Sequence, residues 1–282
     1  MLGSALVEAL TSRGYRVEGD VTGGHRVDVG DWPAMDRAIE SARPDVIWHL
    51  AAATDLDRCE REPDWAFLVN GLGTENVARA AKRLRVPLVY VSTSGVFGSS
   101  APIVHTEMDS TAPVNVYART KLYGEDVVRG LAHDWFILRA GWMVGGWEID
   151  KKFVYRMVTM LQAGQTELRA VDDKLGTPTF TEDFSRKALE LVEAERFGLW
   201  HVVNRGNASR YEMAKVIVAA MGLSEKVRVM PVGSAHFPLA APRPGSEMVR
   251  AAKLEALGWQ DLRPWQAALS EYVAKAPAAA KP

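Results

Sequence analysis

The sequence predicts an α/β fold: a doubly wound parallel sheet with helices on both faces and a smaller C-terminal lobe. Three observations carry this expectation. Short, almost wholly apolar runs alternate with amphipathic helical segments, as a parallel sheet buried on both faces requires. The chain has 282 residues, of which 48% are hydrophobic, enough for one large domain and a lobe. After Gly141 the strand-like runs become sparse and short helical segments dominate.

The elements follow in order. Ser4 to Arg13 reads as an amphipathic helix with Ala5, Leu6, Ala9 and Leu10 on one side, ended by Gly14. Tyr15 to Gly19 is a short strand candidate. Asp31 caps a helix with Trp32-Pro33 in its first turn, running to about Ala42. Asp45 to Ala52 is a buried strand, Asp64 to Leu84 a long helix, and Val86 to Ser92 a second buried strand. Val114 to Leu131 reads as a helix and Trp135 to Ala140 as a strand. Thr181 to Glu193 and Gly198 to Val203 return to the sheet as helix and strand. The expected division is therefore a dinucleotide-binding part, 1–145 and 177–203, and a substrate lobe, 146–176 and 204–275. Residues 276–282 form an Ala/Pro/Lys tail expected to lack order.

Composition excludes several classes. The formal net charge of -1 provides no basic field for nucleic acid or an anionic membrane. One cysteine, Cys59, rules out a disulfide framework, and its neighbours Arg58 and Glu60 suggest a partly exposed thiol. No apolar run reaches the roughly 18 residues needed to span a bilayer, so a cytoplasmic protein is expected. The histidines His25, His49, His105, His133, His201 and His236 show no ligand spacing, and no metal is expected.

The first residues are unusual for this architecture. A Rossmann-type domain opens with a strand, a glycine-rich turn and a helix. Here the helix is present, while the first strand is missing from the sequence. Met1-Leu2-Gly3 resembles the end of G-x-x-G-x-x-G, with Gly3 as its last glycine. Loss of a central strand would cost several kcal/mol, since deleting one buried large side chain costs about 2–5 kcal/mol. Two explanations stay open here: a start upstream of Met1, or a truncation that weakens cofactor binding.

Chemistry concentrates in a few segments. Tyr117-Ala-Arg-Thr-Lys121 is Y-x-x-x-K on a predicted helix, which places both side chains on one face. A nearby ammonium favours the phenolate, so the tyrosine can exchange a proton with a carbonyl oxygen. By itself the pattern also suits an ordinary surface pair. Thr93, at the end of a buried strand, could hold a substrate carbonyl against Tyr117 or simply cap a turn. Ala51 and Ala52, in His49-Leu-Ala-Ala-Ala-Thr54, are small enough to admit a flat cofactor, or to allow tight helix packing. Asn70, in an otherwise apolar helix, is expected to be hydrogen-bonded to the sheet or a proton relay, or else to lie exposed. Asp20, closing the second strand candidate, suits ribose hydroxyls and favours NAD over NADP, with Arg16 and Arg26 close enough to favour the opposite. Asp28-Val29 could meet the adenine edge or form the turn leading into a helix.

Together these segments resemble the extended short-chain dehydrogenase/reductases and, within them, the dTDP-4-dehydrorhamnose reductases. The resemblance is carried by Ala42 to Ala53, Asp57-Arg-Cys-Glu-Arg-Glu-Pro63, Val91-Ser-Thr-Ser-Gly-Val-Phe97, Pro113 to Lys121 with Gly124-Glu125, Arg139-Ala-Gly-Trp142, Gly176-Thr-Pro-Thr-Phe-Thr-Glu-Asp183 and Ala241-Pro-Arg-Pro244. It runs nearly the whole length.

The resemblance implies that Thr93, Tyr117 and Lys121 form the catalytic triad. It places Gly3 at the pyrophosphate, Asp20 at the ribose, and Ala51 and Ala52 in the cofactor groove. Thr54, Trp142 and Arg243 fall on the substrate side. The implied cofactor is NAD(P)H, leaning to NADH, and the implied reaction is reduction of a 4-keto nucleotide-deoxysugar. A homodimer is the assembly considered. One departure stands beside Thr93: Ser94-Gly95 replaces the family's Asp-Tyr, which leaves room for a different 4-keto sugar. A dehydratase would carry Asp-Glu there. An NAD-dependent nucleotide-sugar epimerase and a non-catalytic regulatory relative are the alternatives.

Overall fold

The longest apolar runs of the sequence form one parallel sheet, seen in a computed structural model that describes residues 1–19, 27–150 and 152–277. The first helix, α1 (Leu2–Ser12), turns Leu6 and Leu10 onto Leu189. Gly14 follows it at φ +83, a left-handed conformation that glycine adopts without a Cβ penalty. Next comes α2 (Trp32–Ala42), where the Asp31 carboxylate accepts from the Ala34 amide at 3.1 Å. The chain continues through β1 (Ile47–His49), α3 (Leu56–Arg61), α4 (Pro63–Phe67) and a π-helical segment, Leu68–Leu72. Then come α5 (Gly73–Leu84), β2 (Leu88–Thr93), α6 (Val116–Leu131), β3 (Trp135–Ala140), β4 (Trp142–Val144), α7 (Phe153–Gln162), β5 (Glu167–Val171), β6 (Leu175–Gly176) and β7 (Pro178–Phe180). The remainder is α8 (Thr181–Glu193), β8 (Gly198–His201), β9 (Ala208–Ser209), α9 (Arg210–Ala220), β10 (Arg228–Val232), β11 (Ser246–Glu247), α10 (Ala252–Ala256) and α11 (Trp265–Ala274).

The main sheet has the order β1-β2-β3-β8, all parallel, with Leu88 opposite Trp135 and Thr93 opposite Ala140. Side chains alternate between two buried faces. Val89, Phe136 and Leu138 join the core beneath α8, while Leu88, Tyr90 and Ile137 join the core with Val77 of α5 and Val128 of α6. Both faces being covered, the strands carry no polar alternation. A third core holds Val154, Leu161, Leu168, Met213, Ile217, Trp265 and Leu269. No described helix is long and apolar enough to cross a membrane.

Several expectations change. Tyr15–Gly19 forms no ladder with any described residue, and β1 is the last strand in the sheet order. A strand is held by its neighbour, and no described strand lies beside this segment. The strand expected at Asp45–Ala52 narrows to Ile47–His49. The long helix expected from Asp64 is divided, with Pro63 opening α4 and a π segment between α4 and α5. The region after Gly141 is richer in strands than expected: β5 pairs β10, β6 lies between β11 and β9, and β4 pairs β7. These strands are 2 to 5 residues long, too short for periodicity to reveal. Cys59 is fully buried, with its thiol 3.6 Å from the Ala53 carbonyl, and burial pushes its pKa up to about 11. The apolar contacts of Ala53, Ala66 and Val116 override its charged sequence neighbours.

One buried ionic cluster ties α6 to the sheet. The Glu125 carboxylate accepts from Ser92 of β2 at 2.6 Å, from Arg139 of β3 at 2.8 and 2.7 Å, and from Arg129 at 2.8 Å. Burial acts to raise the Glu125 pKa, but these donors together hold it below the usual range. Removing one partner of such a pair strands a buried charge. Glu125→Leu is therefore expected to destabilise the fold by about 3–5 kcal/mol in urea unfolding at pH 7. Because the folded-state pKa is depressed, the stabilisation is present above the ordinary glutamate pKa. It is lost as pH falls through the lowered value, so the gap to the unsubstituted protein should close on acidification.

Candidate active site

The C-terminal ends of β1 and β2 and the first turns of α6 converge on one locus. Asn115 caps α6, accepting from the Ala118 amide at 2.9 Å, and its amide donates to the Pro242 carbonyl at 3.0 Å. The Val116 amide donates to Glu60 at 3.0 Å. These bonds aim the first turn of α6, and with it Tyr117, at the end of β2.

Tyr117 and Thr93 face each other there, close enough for the Thr93 hydroxyl to act on the phenol. Thr93 also satisfies the plainer expectation, since its hydroxyl accepts from the Gly95 amide at 3.0 Å. Burial raises the Tyr117 pKa to about 12, the nearby Thr93 hydroxyl opposes the rise, and the Glu247 charge adds to it. Lys121 lies one helical turn further on and is buried, with its Nζ 4.0 Å from the centre of the Tyr90 ring. Burial lowers its pKa to about 7, against the pull of Glu125. The expected lowering of the tyrosine pKa by this lysine is not what the geometry provides. The ammonium rests on Tyr90, and desolvation dominates both groups.

Asn70 joins the two halves of the locus. Its Oδ1 accepts from the Ala53 amide at 2.7 Å, and its Nδ2 donates to the Ala53 carbonyl at 3.1 Å and to Thr120 Oγ1 at 2.9 Å. Thr120 in turn donates to the Tyr117 carbonyl at 2.7 Å. Thr74 donates to the Asn70 carbonyl at 2.6 Å and lies 3.0 Å from His49 Nε2. Burial drives the His49 pKa down to about 3, so the ring is neutral. With Thr74 donating elsewhere, the network assigns the ring proton to Nε2. Asn70 is thus wholly buried, and the exposed alternative is excluded.

The other expected residues fall as follows. Ala51 is exposed, Ala52 half-buried and Thr54 exposed at the end of β1. Gly3 sits in the first turn of α1, where Met1 offers no side-chain cap and no acid intrudes. Asp28 accepts from the Gly30 amide at 2.8 Å, which supports the turn reading. Val29 is buried, and its carbonyl accepts from Asn76 at 2.8 Å. Asp20 and Arg26 lie outside the described residues. Trp142 donates from Nε1 to Glu247 at 3.2 Å. Arg243 donates to Asp57 at 3.3 Å and to the Ala241 carbonyl at 2.8 Å.

These groups fit a dinucleotide with a nicotinamide. The first turn of α1 presents amide donors free of a side-chain cap, and Ala51 and Ala52 carry side chains small enough for a flat ring to pass. Sequence reasoning missed Glu247, Arg210, Asp57 and Asn115. Glu247 follows the Arg243 motif by four positions, and Arg210 opens the helix that Ser209 and Glu212 mark as a capping box. Neither signal says that the side chain faces Trp142.

A family model described as the RmlD substrate binding domain matches residues 1–277. The chain belongs to this family. A relative named dTDP-4-dehydrorhamnose reductase, from Mycolicibacterium smegmatis, is 34% identical over 97% of this chain and 82% of its own length. The crystal structure of dTDP-4-dehydrorhamnose reductase from Yersinia enterocolitica is 35% identical with a TM-score of 0.89, covering 97% of this chain and 95% of that one. The reductase of Bacillus anthracis in complex with NADP is 30% identical with the same TM-score, 0.89, over 97% and 95%. Membership accounts for the doubly wound parallel sheet and for the order of motifs along the chain.

Replacing Asn70 by leucine leaves the Ala53 amide and carbonyl buried without partners. A loss of about 1–3 kcal/mol is expected in urea unfolding. A weaker NADH or NADPH affinity is expected in a fluorescence titration, because the segment Ala51–Ala53 loses its anchor.

Proposed function

We propose that this chain reduces the 4-keto group of a nucleotide-linked 6-deoxysugar with a nicotinamide cofactor, as its dTDP-4-dehydrorhamnose reductase relatives are named for doing. The single observation that carries the proposal is the meeting of Tyr117 and Thr93 at the end of β2, with Lys121 one turn away. The part formed by 1–145 and 177–203 holds the cofactor, and 146–176 with 204–275 holds the sugar.

When bound, a reduced nicotinamide supplies the hydride equivalent for the carbonyl carbon. The Thr93 hydroxyl orients the carbonyl oxygen, and Tyr117 Oη gives that oxygen its proton. A phenol with a pKa of about 12 keeps its proton across the working range, which suits a donor in the reductive direction. Lys121 holds the cofactor ribose. The start of α1 at Gly3 faces the pyrophosphate, Ala51 and Ala52 line the groove, and Asp28 and Val29 border the adenosine half. Thr54, Trp142 and Arg243 border the sugar nucleotide. Asp20 inclines the choice to NADH, while the Bacillus anthracis relative carries NADP.

The test is a screen of the protein with NADH and NADPH against dTDP-, GDP- and UDP-linked 4-keto sugars. Turnover of at least one is expected, and failure to bind either cofactor would overturn the proposal. Tyr117→Phe is expected to lower kcat by about 10²–10⁴-fold with cofactor affinity retained. Lys121 is charged below about pH 7 and neutral above it, so reductive turnover should fall as pH rises through that value. A Lys121→Met variant should lack this limb in the pH–rate profile.

A further inference from the structure

The wall of the site formed by Trp142 carries a cation that the mechanism above does not use. Arg210, the first residue of α9, lays its guanidinium over the Trp142 ring at 3.8 Å and lies 5.1 Å from the Phe153 ring. Its hydrogen-bond partner is the Met213 sulfur at 3.5 Å, and it forms no ion pair with any described carboxylate. The two acids whose charges reach it are Glu247 and Asp150. Glu247 is engaged by Trp142 Nε1, and Asp150 is a buried carboxyl whose Oδ1 has no partner. Lys152 is a further cation close to Asp150.

The same Glu247 that faces Arg210 also acts on the phenol of Tyr117, so Arg210 belongs to the reaction locus and not to a remote surface. Burial drops the Arg210 pKa to about 10, a sign that its charge is poorly compensated. Guanidinium groups stacked on an aromatic ring keep their in-plane donors free, and those donors match phosphate oxygens two at a time. Trp142 itself cannot yield: a Cβ on Gly176 would stand 2.2 Å from its ring, and Glu247 holds its Nε1. Arg210 is thus a preoriented cation on a fixed indole, half-buried and open to one more partner.

Resting on the reading of the substrate as a nucleotide sugar, we propose that Arg210 binds the diphosphate of that substrate, using Trp142 as its platform. A nucleoside is neutral and offers the guanidinium no anionic oxygens, so the contribution of Arg210 is specific to the phosphates.

The test is isothermal titration of the protein with dTDP, UDP and GDP, each compared with its nucleoside, for the unsubstituted chain, Arg210→Gln and Arg210→Lys. Loss of two charge-assisted hydrogen bonds should weaken nucleoside diphosphate binding by about tenfold or more in Arg210→Gln. Nucleoside and NADPH affinities should stay unchanged, and Arg210→Lys should restore part of the loss. With the full nucleotide-sugar substrate, KM should rise while kcat changes little. Equal diphosphate affinity in Arg210→Gln and the unsubstituted protein, with matching thermal melts, overturns the assignment of Arg210 and leaves the reductase reading standing. If the unsubstituted protein binds none of the three nucleoside diphosphates, both fail. Equal losses for nucleoside and diphosphate indicate a merely structural residue and also overturn the assignment.

Discussion

The structure depends on the carboxylate of Glu125. It is the point where α6, β2 and β3 are bound together by charge-assisted hydrogen bonds from Ser92, Arg139 and Arg129. Everything chemical about α6 is displayed relative to that anchor. Tyr117 stands two turns before it and Lys121 one turn before it, so the angle at which the helix crosses the sheet sets where both side chains end. A buried ion pair is weak evidence for stability in itself, because desolvation offsets its Coulomb gain. Its value here is geometric: one arrangement of α6 lets Glu125 meet Ser92 and Arg139 at once, and shifted ones strand a charge.

Around that anchor, burial sets the protonation states. Desolvation raises the Tyr117 phenol, lowers the Lys121 ammonium and keeps His49 neutral. The lysine therefore does not act as a fixed point charge beside the phenol, as simple pairing would have it. It is poised near neutrality, with its charge favoured by Glu125 and opposed by its apolar surroundings. On the opposite side the Asn70 clamp does for the backbone at Ala53 what Glu125 does for α6. The widened π turn that carries Asn70 buries its amide against a strand end, and such turns recur at functional sites.

The region after Gly141 is built differently. Its strands are short, and its residues come from distant parts of the chain: Trp142 and Glu247 are 105 positions apart, and Asp57 and Arg243 are 186. The Arg243 motif ties the C-terminal part of the chain back to α3 through Asp57. The same closure brings Glu247 near enough for its charge to act on Tyr117, with Trp142 bonded to Glu247 and Arg210 stacked on Trp142.

How much of this was legible follows from the range of each interaction. The helix cap at Asp31, the C′ glycine at Gly14 and the i, i+4 spacing of Tyr117 and Lys121 are local, and the residues within a few positions decide them. The two-sided apolar strands Leu88–Thr93 and Trp135–Ala140 declare a buried parallel sheet because no polar face is left to alternate. Short strands such as Leu175–Gly176 have too few residues to show a period, so they went unread. The sequence by itself determined the fold class, the helix that carries the tyrosine and lysine, and the threonine at the strand end. Tertiary structure decided that Cys59 is buried, that Asn70 clamps Ala53, that Lys121 rests on Tyr90, and that Arg210 and Glu247 face Trp142. Those facts come from contacts across many tens of residues and from desolvation. Both exist once the chain has closed on itself, and no run of neighbouring residues encodes them.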